Sequence, residues 1–132
     1  MNLKLPSSVM LIDDDVINNY IAEKLIKKVS HNIQVSMFSN GPDALEQLKD
    51  WNTGSGTFPE FIFLDLMMRP MDGWEFLDHF AMLKLPSTVR IVILSSSVFR
   101  HDMERAAGHA IENTFVSKPL SVERLYELFE TV

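Results

Sequence analysis

The stretch Val9-Met10-Leu11-Ile12-Asp13-Asp14-Asp15 is a short apolar run that ends abruptly in three aspartates. A run of four apolar residues bounded by polar ones is typical of a buried strand. Four more strands are predicted, over residues 33–38, 61–64, 91–94 and 114–116, and the third strand along the chain is again followed by an aspartate, Asp65. Acidic residues therefore follow two of the predicted strands directly.

Helical patterns separate these strands. Residues 16–29 place Ile17, Ile21, Leu25 and Val29 at helical spacing, which predicts an apolar face opposite a lysine-rich one. Further helices are predicted over 41–51, 73–83, 100–107 and 121–130. Five strand-helix units with apolar strands predict an α/β fold, in which a parallel sheet carries helices on both sides.

Composition and length narrow the class of protein. The chain has 132 residues, so we expect residues 1–132 to form one domain with no second, output domain. It has no cysteine, which excludes disulfides, thiolate zinc sites and a thiol nucleophile. A net charge of −6 argues against direct DNA binding and against attraction to an anionic membrane. Because neither a membrane span nor a secretory signal is evident, we expect a cytoplasmic protein.

Polar and charged residues stand where the predicted strands end. Asp13 and Asp14 follow the first strand, Asp65 the third, Ser95 the fourth and Lys118 the fifth. In an open parallel sheet, ligands bind outside the carboxyl ends of the strands. We therefore expect these five side chains to converge at one edge of the sheet.

Three carboxylates at short range repel one another unless a cation neutralises them. Mg²⁺ binds one or two carboxylates, keeps several waters and accepts phosphate oxygens. A nucleophilic carboxylate, a metal ion, and a lysine and hydroxyl that hold anionic oxygens together favour phosphoryl transfer.

Four motifs carry a family resemblance: LIDDD at 11–15, FLDLMMRPMDGWEF at 63–76, IVILSSS at 91–97 and FVSKP at 115–119. In this order and at these separations, the sequence resembles the receiver domain of two-component response regulators, such as the single-domain chemotaxis regulators, over nearly its whole length. The resemblance implies a flavodoxin-like sheet of strand order 2-1-3-4-5. It also implies a signalling domain rather than an enzyme, since such a domain catalyses only its own phosphorylation and dephosphorylation.

The resemblance implies a role for each acidic residue. Asp65 matches the phosphoacceptor. Asp14 matches the direct Mg²⁺ ligand, and Asp13 matches the acid that acts mainly through water. The backbone carbonyl of Met67 matches the remaining protein ligand of the metal.

It implies roles for five other residues as well. Ser95 matches the hydroxyl that turns toward a phosphoryl oxygen, and Lys118 matches the lysine that pairs with the acceptor and later with the phosphate. Pro119 matches a proline that usually follows a cis bond, which would aim Lys118 inward. Phe115 matches the switch aromatic, and Gly73 the glycine of the loop after the acceptor.

The implied partners are a sensor histidine kinase or a histidine phosphotransfer protein as phosphodonor, and an unidentified protein target downstream. Phosphorylation would change the surface formed by the fourth helix, the fifth strand and the fifth helix. The target is expected to bind there.

The sequence departs from the family pattern in two ways. The family usually has Met-Pro three and four residues after the acceptor, whereas here Met68 is followed by Arg69 and then Pro70. The positions that tune phosphate loss carry Met67 and Ser97, and neither offers an acid or amide to orient a water. We therefore predict a phosphorylated state that is not specially short-lived.

Three other functions would use part of the same pattern. A magnesium-dependent phosphohydrolase usually carries a second acid two residues after its nucleophile, where this chain has Met67, and it needs a substrate-covering cap. A flavodoxin-like electron carrier needs a phosphate loop after the first strand, where the three aspartates would repel phosphate. A receiver-like module that is never phosphorylated would not need the complete acidic set.

Overall fold

The computed structural model describes residues 5–54, 58–85, 88–96 and 100–130. These residues form five strands: β1 (Ser8–Ile12), β2 (Gln34–Phe38), β3 (Phe61–Asp65), β4 (Arg90–Ser95) and β5 (Asn113–Ser117). They alternate with five helices: α1 (Val16–Val29), α2 (Gly41–Thr53), α3 (Gly73–Leu83), α4 (Arg100–Ala107) and α5 (Val122–Glu130). The predicted alternation is confirmed, and the bounds differ from the predicted ones by at most two residues.

The strands form one parallel sheet in the order β2-β1-β3-β4-β5, which confirms the predicted order 2-1-3-4-5. The register aligns the central strands, so that Leu64 pairs with Ile12 on one side and with Ile93 on the other. Asp13 and Asp65 are therefore at the same edge of adjacent strands. β4, which ends at Ser95, lies on the other side of β3.

Two apolar layers cover the sheet, one on each face. Because successive side chains of a strand point to opposite faces, the central strands must be apolar throughout. One layer joins alternate strand residues to α2, α3 and α4, and includes Ile12, Leu64, Ile93, Leu48, Phe76, Leu77 and Ala106. The other joins the remaining strand residues to α1 and α5, and includes Leu11, Phe63, Val92, Ile26, Leu125 and Phe129.

The inward face of α1 differs from the predicted one. Ile17 is 68% exposed and Ile21 is 51% exposed, whereas Ala22 and Ile26 are buried. The buried polar residue Asn19 lies on the same side, where its amide binds the strand ends. This hydrogen bonding and the small Ala22 side chain determine which face of α1 lies against the sheet, and helical spacing alone did not reveal it.

Local side-chain caps begin four helices, and Asn40 is the cap of α2. Asp15 caps α1 and accepts hydrogen bonds from the backbone N–H groups of Ile17 and Asn18. Asp72 forms a capping box with Glu75 at the start of α3. The Ser121 hydroxyl accepts the N–H of Arg124 at the start of α5. Across the described ranges, no helix has both the length and the apolar character that crossing a membrane requires.

Candidate functional site

Asp13, Asp14 and Asp65 form an acidic cluster at the carboxyl edge of the sheet. One carboxylate oxygen from each lies within 4.8 Å of the others. Asp13 and Asp65 are buried, whereas Asp14 is exposed. The adjacency of β1 and β3 sets this geometry, because Asp65 ends β3 and Asp13 directly follows β1.

Lys118 joins two of these carboxylates. Its Nζ atom lies 3.1 Å from Asp13 Oδ2 and 3.2 Å from Asp65 Oδ1. The backbone N–H of Lys118 donates to the Ser95 carbonyl at 2.8 Å, which holds the chain after β5 against the end of β4. The Lys118–Pro119 peptide bond is cis. The sequence thus brings together four charged groups from three strand ends.

Ser95 and Phe115 lie on the β4–β5 side of the cluster. Ser95 is fully buried at the last position of β4. Phe115 lies in the middle of β5, pairs in register with Ile93 and is half-buried against the apolar layer of α2, α3 and α4. Ser97, the second position expected to tune phosphate loss, lies outside the described residues.

Met67, two residues after Asp65, has an exposed side chain. Its backbone N–H donates a hydrogen bond to the Asp65 carboxylate. The Arg69–Pro70 departure follows directly, with both residues exposed and their peptide bond cis, while Met68 is buried. The residues that break the family pattern therefore lie on the solvent side of this loop.

Burial and nearby charges shift the pKa of Asp65. Burial raises the pKa of Asp65 above its ordinary 3.8, and the negative charge of Asp13 raises it further, while Lys118 and the Met67 N–H act in the opposite direction. Burial alone would lower the pKa of Lys118, but its bonds to Asp13 and Asp65 outweigh burial and raise it above 10.5. Lys118 is therefore a cation, and the ionised form of Asp65 is less favourable than that of a free aspartate.

The donor set fits a hard divalent cation. Carboxylate oxygens within 4.8 Å of one another can approach a single ion, and oxygen ligands are those that Mg²⁺ prefers. A bound dication would offset the repulsion that raises the pKa of Asp65. Lys118 supplies one positive charge for the three carboxylates, so a dication would bring this group of side chains to neutrality.

Asn19 was missed by the sequence reasoning. Its buried side-chain amide donates to the Asp13 carbonyl at 3.0 Å and to the Phe38 carbonyl at 3.1 Å, and the Asp13 N–H also donates to the Phe38 carbonyl at 3.1 Å. These bonds fasten α1 to the ends of β1 and β2 and so fix the backbone of Asp13. An amide between the apolar positions of α1 was the one available signal.

Gly73 lies against the backbone of Asp65 and Leu66. Its N–H donates to the Leu66 carbonyl at 3.0 Å, and a Cβ at this position would lie 2.8 Å from the Asp65 carbonyl oxygen and from Leu66 Cα. No side chain fits there without a shift, which explains the requirement for glycine.

Comparisons with known proteins agree with this geometry. The profile described as response regulator receiver domain matches residues 9–130. Protein PilG of Pseudomonas aeruginosa is 32% identical over 121 residues, covering 89% of this chain and 80% of PilG. Hybrid signal transduction histidine kinase L of Dictyostelium discoideum is 29% identical over 131 residues, which are 96% of this chain but 7% of that protein.

Solved structures give the same result. A two-component response regulator from Cytophaga hutchinsonii superposes with a TM-score of 0.84 at 27% identity, covering 98% of this chain and 100% of that one. The strand order, the acidic cluster and the match over residues 9–130 lead to one family. The chain belongs to the response regulator receiver domain family.

Proposed function

We propose that this chain is a two-component response regulator that accepts a phosphoryl group on Asp65, with Mg²⁺ bound, and signals through a change in the α4-β5-α5 surface. The donor would be a sensor histidine kinase or a histidine phosphotransfer protein. The observation that carries the proposal is the position of Lys118 Nζ, within 3.2 Å of Asp65 and 3.1 Å of Asp13, at a cluster of three carboxylates.

Asp13, Asp14 and Asp65 would hold the metal, together with the backbone carbonyl of Met67. Asp14 would bind it directly, and Asp13 would act mainly through water. When bound, Mg²⁺ would neutralise the carboxylates and the incoming phosphoryl oxygens. The raised pKa of Asp65 is consistent with this assignment, because burial and the nearby Asp13 charge both disfavour its ionised form and a bound cation would favour it.

In the transfer step, a carboxylate oxygen of Asp65 attacks the phosphorus of a phosphohistidine. The P–O bond of an acyl phosphate forms, the P–N bond breaks, and the imidazole leaves and takes a proton from water. The Lys118 ammonium, 3.2 Å from Asp65 Oδ1, pairs with a phosphoryl oxygen in the product. The Ser95 hydroxyl donates to another of these oxygens.

The switch would follow from that product. Phosphorylation replaces one negative charge by about two and adds three strong acceptor oxygens. Ser95 turns toward them and leaves space, into which Phe115 rotates from β5. The α4-β5-α5 surface then favours its second packing, and a protein target binds that packing better.

The loss of phosphate from Asp65 would not be specially fast. Met67 has no group that orients an attacking water, although its exposed side chain lies beside the acceptor. The chain would therefore catalyse little beyond its own phosphorylation and dephosphorylation. Its family is a phosphoacceptor signalling family rather than one of conventional enzymes.

Relatives support the choice of donor. Sequences like this chain make up a small part of hybrid histidine kinases such as kinase L, where the chain spans 7% of the length. We expect this transfer to take place in the cytoplasm. The net charge of −6 supports a protein target rather than DNA.

Intact mass spectrometry tests the proposal. After treatment with acetyl phosphate and Mg²⁺, the wild-type protein should gain the mass of one phosphoryl group. The Asp65→Asn variant should gain none, and EDTA should suppress the gain in the wild type. A phosphoryl gain that survives in Asp65→Asn would refute the assignment of the acceptor.

A further inference from the structure

Few of the described side chains of α4 are buried. Within this helix, Ala106 is buried, whereas His101, Met103, Glu104, Arg105 and Ala107 are exposed. An element with so few buried apolar contacts is among the first to move when its surroundings change. The few contacts that fix α4 therefore decide its position.

Two side chains pack on Trp74, the second residue of α3: one comes from α4 and the other from the turn after it. The guanidinium of Arg105 lies 4.5 Å from the centre of the Trp74 ring, and the His109 ring lies 6.4 Å from it at an interplanar angle of 25°. A cation within about 6 Å of an indole face is attracted to it. The indole itself is 7% exposed, so Arg105 and His109 help to cover it.

A hydrogen-bonded histidine completes this contact. His109 Nε2 lies 3.0 Å from Asp78 Oδ1, one helical turn after Trp74, and His109 Nδ1 accepts the N–H of Ile111 at 3.0 Å. Because Nδ1 is an acceptor, the proton lies on Nε2 and is donated to Asp78. Trp74, Asp78, Arg105 and His109 together form what we call the Trp74 clasp.

The other side of Trp74 lies next to the phosphoacceptor. The preceding residue, Gly73, contacts the backbone of Asp65 and Leu66 so closely that a Cβ would lie 2.8 Å away. Trp74 also lines the cavity that contains Asp14 and Met67. The Gly73 N–H donates to the Leu66 carbonyl at 3.0 Å, so a displacement of the acceptor loop is transmitted to the start of α3, where Trp74 lies.

We propose that Trp74 is a positioning residue that couples the acceptor loop to α4, and that phosphorylation of Asp65 opens the Trp74 clasp on its Arg105 side. This inference rests on the proposed function, since it needs a phosphorylated Asp65. It adds a route to α4 that runs through the start of α3, separate from Ser95 and Phe115 on β4 and β5. The clasp holds α4 in the unphosphorylated position.

Quenching of Trp74 fluorescence by acrylamide tests the clasp. The chain has two tryptophans, so a Trp51→Phe background leaves Trp74 as the sole emitter. On treatment with acetyl phosphate and Mg²⁺, the quenching constant should rise about twofold as the nearly buried indole becomes exposed. Adding Arg105→Ala should raise the constant before phosphorylation and abolish most of the further rise.

A matched control removes a different cation from a different ring. Lys24 Nζ lies 5.1 Å from the centre of the Tyr20 ring on α1, far along the chain from α4. Lys24→Ala in the same background should behave like the background. Arg105 is exposed, so its replacement should leave the fold intact, as far-ultraviolet circular dichroism can verify.

Intact mass on the same samples separates the two proposals. A phosphoryl gain with an unchanged quenching constant would overturn the clasp and leave the acceptor assignment standing. A rise of equal size with and without Arg105→Ala would also overturn it, because the exposure of Trp74 would then not depend on Arg105. No phosphoryl gain at all would overturn the proposed function itself.

Discussion

Replacing Gly73 by alanine should destabilise the protein and disturb the acceptor. The new Cβ would lie 2.8 Å from the Asp65 carbonyl oxygen and from Leu66 Cα, and 2.9 Å from Leu66 Cδ2. Non-bonded heavy atoms normally approach to about 3.5–4.0 Å, so α3 or the loop must move by roughly 0.7–1.2 Å. Overpacking of this kind costs about 1–3 kcal/mol.

Part of that cost is offset, because alanine is a better helix former than glycine by up to about 1 kcal/mol. The expected net loss is therefore about 1–2 kcal/mol, or a fall in Tm of roughly 4–8 °C for a domain of this size. Phosphorylation by acetyl phosphate should also slow, because the carbonyl that must shift is that of Asp65.

Thermal and urea unfolding measure the loss of stability, and Gly108→Ala is the matched control. A Cβ at Gly108 would meet only Glu104 O at 3.5 Å and Arg105 O at 4.0 Å, and Gly108 does not have a positive φ. This control should be neutral or slightly stabilising, within about 1 kcal/mol. If Gly73→Ala were as stable as Gly108→Ala, the close packing of α3 on the acceptor would be wrong.

Three further predictions concern the acidic cluster. Asp65→Asn should stabilise the metal-free protein at neutral pH. The folded-state pKa of Asp65 is raised above 3.8, so the wild type loses stability as the pH rises from 3.8 through the folded-state pKa. The difference in free energy of unfolding between variant and wild type, measured in urea, should widen over this pH range, and a difference that narrowed would contradict this sign. Mg²⁺ at about ten times its Kd should stabilise the wild type by about 1.4 kcal/mol, measured as a rise in Tm. Asp14→Asn should lose most of that rise, and an undiminished one would place the ion elsewhere. Met67→Asn should shorten the acyl-phosphate half-life measured by intact mass, and a wild type that decays faster than this variant would overturn the predicted lifetime.

Sequence reasoning predicted the features that depend on local chemistry and on strand order. The apolar strands and the parallel sheet follow from hydrophobic patterns that are visible in the sequence alone. Once the strand order is known, Asp13 and Asp65 must be neighbours, because the carboxyl ends of adjacent parallel strands share one edge.

Features that depend on packing between elements could not be predicted in this way. Ile17 and Ile21 have helical spacing, yet Asn19 and Ala22 lie on the buried face of α1, because only the assembled sheet presents the carbonyls that Asn19 binds. The partners of Trp74 are a second such feature. Its cation and histidine neighbours come from residues about thirty positions away, and no local pattern links them.

Locating the phosphoryl group is the most direct test of the central claim, that the carboxylate of Asp65 accepts phosphate inside a metal-binding acidic cluster. The wild-type protein would be phosphorylated with Mg²⁺ present, digested at low pH and sequenced by tandem mass spectrometry. The account predicts one modification, on the peptide that contains Asp65 and at that residue. A phosphoryl group on Asp13, Asp14 or a histidine, with Asp65 unmodified, would contradict it.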